Sequence, residues 1–121
     1  MFQRIEISGV HYEIDDRLRK YTNKKIGKLS AFLPRHARHS AHVMVKFIGS
    51  NAKDKKINTC EVILQVPQET LTVKESTTNM YASVDVVETK LRNQLRRYKE
   101  RSTTDYRGVR KLLAKLRSHP A

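Results

Sequence analysis

The sequence predicts an α+β domain in which two helices pack on one face of a four-stranded sheet, in the order β-α-β-β-β-α. Three observations support this class. Four short segments alternate apolar and polar residues, which is the period of a half-buried strand. Two longer segments repeat apolar residues every three or four positions, as helices do. The chain has 121 residues, enough for one compact core.

The first strand and the first helix come from the opening 33 residues. In "FQRIEIS", Ile5 and Ile7 face one way and Arg4 and Glu6 the other. The spacing then lengthens to that of a helix, which should end before Pro34. Its predicted apolar stripe is Ile14, Leu18, Tyr21, Ile26, Leu29 and Phe32. Asp15 and Asp16 are predicted in its first turn, where carboxylates suit the helix dipole.

Alternation returns in three further segments, "AHVMVKFI", "TCEVILQV" and "TLTVKES". Their predicted core-facing residues are Val43, Val45, Phe47, Cys60, Val62, Leu64, Val66, Leu71 and Val73. The stretch "GSNAKDKK" is predicted to be a polar, mobile connection. Pro67 cannot donate a ladder hydrogen bond and is placed at a strand end, so a hairpin should follow. Each strand has one apolar face, and both helices are therefore expected on the same side of the sheet.

The second helix has the clearest stripe in the chain. Its members are Met80, Val84, Val87, Leu91, Leu95 and Tyr98, preceded by the possible caps Ser76, Thr77, Thr78 and Asn79. "STTDY" is predicted to break the helical pattern. A further stripe follows at Val109, Leu112, Leu113 and Leu116. We therefore expect a domain over residues 1–101 and a basic C-terminal tail over residues 102–121.

Positive charge dominates the composition and points to a polyanionic partner. Lys and Arg number 25 and Asp and Glu 12, a formal charge of +13. Eleven of the 25 basic residues fall between Lys90 and Arg117. At about 100° per residue, the stripe of the second helix has Lys90, Arg97 and Arg101 on one flank and Arg92, Arg96 and Lys99 on the other. A second cluster comprises Arg17, Arg19, Lys20, Lys24, Lys25 and Lys28. Helices side by side would merge both clusters into one basic groove.

Other chemistry is weakly represented, and we expect no enzyme, no metal, no cofactor and no small-molecule substrate. Cys60 is in phase with buried strand residues and has no neighbouring base. His36, His39 and His42 straddle a loop and a strand without a ligand motif. No apolar run reaches the roughly 20 residues of a membrane span, and the first residues lack a signal-peptide pattern. We expect a cytoplasmic protein without a membrane partner.

The segment "NMYASVDVVETKLRNQLRRYKER" resembles the second helix of the ribosome hibernation-promoting factor family, also called the ribosome-associated inhibitor or sigma-54 modulation protein family. There an Asp-Met-Tyr-Ala-Ala-Ile-Asp start leads into a Lys-Leu-x-x-Gln-Leu-x-Lys-x-Lys end. "IDDRLRKYTNKKIGKLSAF" is similar to the family's first helix, so the resemblance covers about residues 1–101. Asn79 replaces the usual Asp, and both residues cap helices.

The resemblance implies a fold akin to double-stranded-RNA-binding domains and a role in ribosome hibernation. Family members bind 16S ribosomal RNA and neighbouring proteins in the decoding region of the small ribosomal subunit. They exclude transfer RNA and messenger RNA there and so inhibit translation. Long members carry a second domain that pairs ribosomes, and this chain resembles a short form. Whether it promotes or blocks ribosome dimerisation is left open.

The resemblance and the charge pattern together nominate ten residues for contact with ribosomal RNA. Seven match basic positions of the family's helices: Arg19, Lys25, Lys28, Lys90, Arg97, Lys99 and Arg101. Arg92 and Arg96 are additional charge, and Lys24 belongs to the cluster on the first helix. Two alternatives remain, a generic double-stranded-RNA-binding module and a transcription modulator that acts through protein contacts.

Overall fold

The structure is a computed structural model that describes Phe2 and residues 4–118, with side chains described for Phe2 and residues 4–101. Its elements are β1 (Ile5–Val10), α1 (Asp16–Gly27), a 3-10 helix (Lys28–Phe32), α2 (Arg35–Arg38), β2 (His42–Ala52), β3 (Lys55–Val66), β4 (Glu69–Thr77) and α3 (Met80–Ser118). The predicted order β-α-β-β-β-α is confirmed, with the 3-10 helix and the four-residue α2 inserted before β2.

The four strands form one mixed sheet in the order β1-β2-β3-β4. β1 runs parallel to β2, with Ile5 opposite Val43, whereas β2, β3 and β4 form an antiparallel meander. A parallel neighbour requires a crossover connection, and α1 supplies it. α1 and α3 lie side by side on the same face of this sheet, in contact with each other.

The core lies between that face and the helices, as the alternation predicted. All nine strand residues nominated for the core are buried: Val43, Val45, Phe47, Cys60, Val62, Leu64, Val66, Leu71 and Val73. The α3 stripe is buried in full, from Met80 to Tyr98. In the first helical region Leu18, Ile26 and Leu29 are buried, while Ile14, Tyr21 and Phe32 are partly buried at its edge.

The start of α1 differs by one residue from the prediction. Asp15 lies before the first turn as the N-cap, and its side-chain oxygen accepts the backbone N–H of Leu18 at 2.7 Å. Asp16 lies in the first turn as predicted. The helix tightens into the 3-10 helix and ends before Pro34. The proline ring disfavours a helical conformation of the preceding residue, and Leu33 is extended.

The connection between β2 and β3 is much shorter than predicted. The stretch "GSNAKDKK" continues the strand ladder, and Ala52 pairs with Lys55 across a two-residue turn. Lys53 and Asp54 both have positive φ, 51° and 64°, as the turn that fits the twist of a hairpin requires. The expectation of a loop was wrong. The ends of these two strands are exposed on both faces, so they form a ladder without the apolar alternation that predicts a strand.

α3 begins as predicted and ends later. Asn79 caps it, its side-chain oxygen accepting the backbone N–H of Tyr81 at 2.9 Å. The expected break at "STTDY" is wrong, because the helix continues to Ser118. Ser, Thr and Asp are weak helix formers, but none of them interrupts the backbone hydrogen bonds as proline does. The side chains of the predicted stripe at Val109, Leu112, Leu113 and Leu116 lie outside the described residues, and the boundary at residues 101 and 102 stays a prediction.

Candidate nucleic-acid interface

α1 and α3 pack against each other, and we call the surface along their contact the groove; tyrosines line its first half. The rings of Tyr21 on α1 and Tyr81 on α3 meet edge to face, with centroids 5.1 Å apart and planes at 71°. The guanidinium carbon of Arg17 lies 5.9 Å from the Tyr81 centroid. Both contacts follow from the one-turn spacing of Arg17 and Tyr21, which brings the two residues to the side of α1 that faces α3.

Asp85 joins the two helices in the middle of the groove. Its carboxylate accepts a hydrogen bond from the Tyr21 hydroxyl and lies 3.5 Å from the Lys25 ammonium. The same ammonium lies 5.7 Å from the centre of the Tyr21 ring. The hydrogen bond to Asp85 and partial burial raise the pKa of Tyr21 to about 12. Tyr21 is therefore a neutral hydrogen-bond donor at any physiological pH.

One turn further along α3, a buried carboxylate forms an ion pair within the helix. Glu88 is only 7% exposed and accepts a hydrogen bond from the guanidinium of Arg92, four residues later. A buried charge needs a partner to offset its lost hydration. Arg92 serves that structural purpose, whatever else it contacts.

The second half of the groove is basic. The guanidinium carbon of Arg96 lies 5.5 Å from the centre of the Phe32 ring, so α3 here faces the 3-10 helix that Lys28 begins. Arg96, Lys99 and Lys28 are all exposed. We call Arg92, Arg96 and Lys99 the inner flank of α3. Its exposed cations and Lys28 are carried by two different elements that pack against each other.

The other side of α3, the outer flank of Lys90, Arg97 and Arg101, faces β4. Lys90 donates a hydrogen bond to Glu75, which lowers the pKa of that carboxyl. The guanidinium of Arg101 lies 2.6 Å from a carboxylate oxygen of Glu69. Two of the three outer cations are thus paired with acids of the edge strand.

The structure divides the ten nominated cations into groups. Four form ion pairs, namely Lys25, Lys90, Arg92 and Arg101. Six are exposed and have no ion pair within the described side chains, namely Arg19, Lys24, Lys28, Arg96, Arg97 and Lys99. Arg19 lies two residues before Tyr21, which places it about 160° away around α1. Arg19 therefore lies far from the groove and is not part of the basic surface that the two helices form together.

Several residues of the groove were not nominated from the sequence. Tyr81 and Asp85 lie on the inner side of the α3 stripe, and Arg17 belongs to the basic cluster of α1. The sequence could have identified Tyr21, Tyr81 and Asp85 by their positions beside the apolar stripes, since two helices packed side by side bring such flanking positions together. Which flank of α3 faces α1 depends on the sheet order, and that order is not visible in a helical repeat.

Cys60 and His42 belong to the packing and pairing of the sheet. Cys60 is fully buried, and burial raises the pKa of its thiol to about 12, so the reactive thiolate is suppressed. His42 lies 3.5 Å from Glu6 of the neighbouring strand.

Among the described residues, no three His, Cys, Asp or Glu side chains are grouped as metal ligands. None of the helices, as far as they are described, is long and apolar enough to span a membrane.

Comparison with known sequences finds one family that matches most of the chain and two similar proteins that are named hibernation factors. Residues 5–103 match the family described as Sigma 54 modulation protein / S30EA ribosomal protein. The chain is 32% identical to the ribosome hibernation promotion factor of Lactococcus lactis and 35% identical to that of Staphylococcus aureus, each over 98 residues or 81% of the chain. It spans 50% and 49% of those two proteins, about half the length of each.

Comparison with solved structures gives the same fold. A ribosomal subunit interface protein from Coxiella burnetii superposes with a TM-score of 0.65 at 25% identity, covering 81% of this chain and 99% of the other. The N-terminal domain of Protein Y from Thermus thermophilus superposes with a TM-score of 0.62 at 22% identity, covering 80% and 97%. The α+β arrangement predicted from the sequence is confirmed by both.

Proposed function

The chain belongs to the Sigma 54 modulation protein / S30EA ribosomal protein family, and on that premise we propose that it binds the ribosome and holds it in a translationally inactive state. Relatives in two organisms are named ribosome hibernation promotion factors. Because the chain spans about half of each, their whole activity is not transferred to it. The proposal concerns only the half of those proteins that this chain matches.

The observation that carries the proposal is the basic half of the groove. Arg96 and Lys99 on α3 and Lys28 at the start of the 3-10 helix are exposed cations on two packed elements. Cations arranged along a surface bind phosphates and release the counterions condensed on nucleic acid. Such contacts give affinity and orientation with little sequence readout. A folded, phosphate-rich RNA surface such as the ribosome fits this arrangement.

We propose further that the bound site is the decoding region of 16S ribosomal RNA in the small subunit, with neighbouring ribosomal proteins as additional partners. A domain lodged there would occupy space that transfer RNA and messenger RNA need. Inhibition then requires position and affinity alone and no bond-breaking step.

The test is co-sedimentation of the chain with purified small subunits across a salt series, with and without initiator transfer RNA and messenger RNA. We expect binding that weakens steeply with salt and that the two RNAs compete away. Binding that ignores both RNAs would contradict decoding-site occupancy. Equal affinity for a plain duplex of about 16 base pairs would favour the alternative, a generic double-stranded-RNA-binding module.

Two matched double variants locate the phosphate contacts. Arg96→Ala with Lys99→Ala removes two unpaired cations of the inner flank, and Lys90→Ala with Arg101→Ala removes two paired cations of the outer flank. Each lowers the charge by two. We expect the inner variant to lose more affinity and to reduce the salt slope by about two, because its cations have no acid to neutralise them. A larger loss from the outer variant would place the RNA over β4.

A further inference from the structure

We infer that Asp85 is a positioning residue for RNA binding: loss of its hydrogen bond with Tyr21 weakens binding to a polyanion, even where that loss raises the net charge of the chain. This inference rests on the proposed function and adds to it a residue that does not touch the RNA. Asp85 acts through Tyr21 and Lys25, by holding α1 at one fixed position along α3.

The reason to fix that position is that the two sides of the groove belong to different elements. Lys28 is carried by the 3-10 helix that continues α1, and Arg96 and Lys99 are carried by α3. A folded RNA presents its phosphates at fixed positions, so cations on the two sides bind together best at one offset between the helices. The hydrophobic effect is non-directional and does not by itself define one offset. A hydrogen bond and an ion pair have preferred geometry and define the offset.

Asp85 is placed to define it. Its carboxylate receives the Tyr21 hydroxyl and lies 3.5 Å from Lys25, two residues one turn apart on the same side of α1. The ring of Tyr21 also packs against Tyr81, one turn before Asp85 on α3. The contacts therefore connect two consecutive turns of each helix. A shift of α1 by one residue would break all of them together.

The ion pair with Lys25 adds too little stability to explain this carboxylate by itself. The side chains of Lys25 and Asp85 are 37% and 49% exposed, and ion pairs at such exposure add little to folding. Electrostatics alone makes the opposite prediction for binding. A carboxylate on a phosphate-binding surface repels the ligand, so its removal from a purely electrostatic surface would tighten binding.

The experiment compares four single variants for binding to purified small subunits at fixed salt. Asp85→Ala removes the carboxylate with both of its contacts. Asp85→Asn removes the charge and keeps an oxygen that accepts the Tyr21 hydroxyl. Tyr21→Phe removes that hydroxyl and keeps the charge of Asp85. Glu100→Ala removes an exposed acid of the same helix and serves as the control for charge.

We expect Asp85→Ala and Tyr21→Phe to lower affinity about tenfold, although the first raises the net charge and the second leaves it unchanged. Asp85→Asn should regain most of the loss, and Glu100→Ala should bind as tightly as the parent chain or more tightly. Circular dichroism at the assay temperature confirms that each variant is folded. If Asp85→Ala unfolds, Tyr21→Phe carries the test with all charges intact.

Tighter binding by Asp85→Ala, or unchanged binding by a folded Tyr21→Phe, would overturn the inference and leave the proposed function standing. Equal losses in Asp85→Ala and Asp85→Asn would also overturn it, since they would trace the effect to the charge. A parent chain that fails to bind small subunits would refute the proposed function itself. The two failures are thereby distinguished.

Discussion

The hydroxyl of Tyr21 on α1 donates a hydrogen bond to the carboxylate of Asp85 on α3, joining residues 64 positions apart. It is a direct polar link between the two helices that form the groove. The acceptor is charged, and a bond to a carboxylate is stronger than one between neutral groups. The relative position of α1 and α3 therefore depends on a bond whose donor can be removed without changing the size of the ring.

The first prediction is that Tyr21→Phe destabilises the fold in a pH-dependent way. The pKa of Tyr21 is about 12 in the folded chain, above its ordinary value of 10.0. The bond's contribution is therefore fully present below pH 10 and is lost as pH rises towards 12. Below pH 10 we expect the variant to be less stable by about 1 kcal/mol.

Denaturant unfolding of both proteins between pH 8 and about pH 11.5 measures this difference. Titrations of all other groups are common to the two chains and cancel. The gap between the two free energies of unfolding should narrow above pH 10. A gap that stays constant over the whole range would show that the hydroxyl is not held in its protonated form by Asp85.

The second prediction is that Thr22→Val stabilises the chain. Thr22 is fully buried on α1, and its hydroxyl has no hydrogen-bond partner among the described residues. An unpaired buried hydroxyl costs free energy that a methyl group of similar size does not. We expect the free energy of unfolding to rise by about 1 kcal/mol and the Tm by about 4 °C.

Ser83→Ala is the matched control, because its hydroxyl is equally buried and well bonded. It donates to the carbonyl oxygen of Asn58 at 2.7 Å and lies 2.8 Å from the Thr77 hydroxyl. We expect this variant to lose about 1–2 kcal/mol. We expect the two variants to change the free energy of unfolding in opposite directions. If Thr22→Val also lowers it, the Thr22 hydroxyl has a hydrogen-bond partner and the prediction is wrong.

The third prediction concerns the contact between β2 and the segment that follows β1. A Cβ atom at Gly49 would lie less than 3.0 Å from the carbonyl oxygen of His11, closer than real Cβ atoms come. The neighbour is backbone, and it cannot move aside as a flexible side chain could. We expect Gly49→Ala to lower the free energy of unfolding by about 1–3 kcal/mol.

Thermal unfolding monitored by circular dichroism measures this loss, with Ser50→Ala as the control. Ser50 is the next residue in β2, and its side chain is exposed. The control should unfold within about 0.5 kcal/mol of the parent chain. If the two variants have the same Tm, then the close approach at Gly49 is not rigid.

The buried side chains of the fold were predictable because burial has a period. A two-residue alternation identified Val43, Val45 and Phe47, and a three-to-four-residue spacing identified the α3 stripe. The β2–β3 hairpin was missed because its outer half is exposed on both faces and carries no such period. The continuation of α3 past residue 101 was missed because weak helix formers resemble a boundary when only the local sequence is considered.

The cations of the candidate site were predictable as positions, and their pairing was not. Helical geometry placed Lys90 and Arg92 on opposite flanks of the stripe, and the structure has them there. That Lys90 pairs with Glu75 depends on β4 lying beneath that flank. Such a pair joins two elements whose contact is set by the strand order. No local pattern contains that information.

The parallel pairing of β1 with β2 has a consequence for the order in which the chain assembles. Ile5 pairs with Val43, 38 positions later, whereas a two-residue turn brings Ala52 to Lys55. The entropy lost on closing a loop grows with its length, so the β2–β3–β4 meander can form before β1 has met its partner. We expect β1 to dock last and to detach first. Amide hydrogen exchange in the native protein should therefore find the lowest protection among the strands in β1.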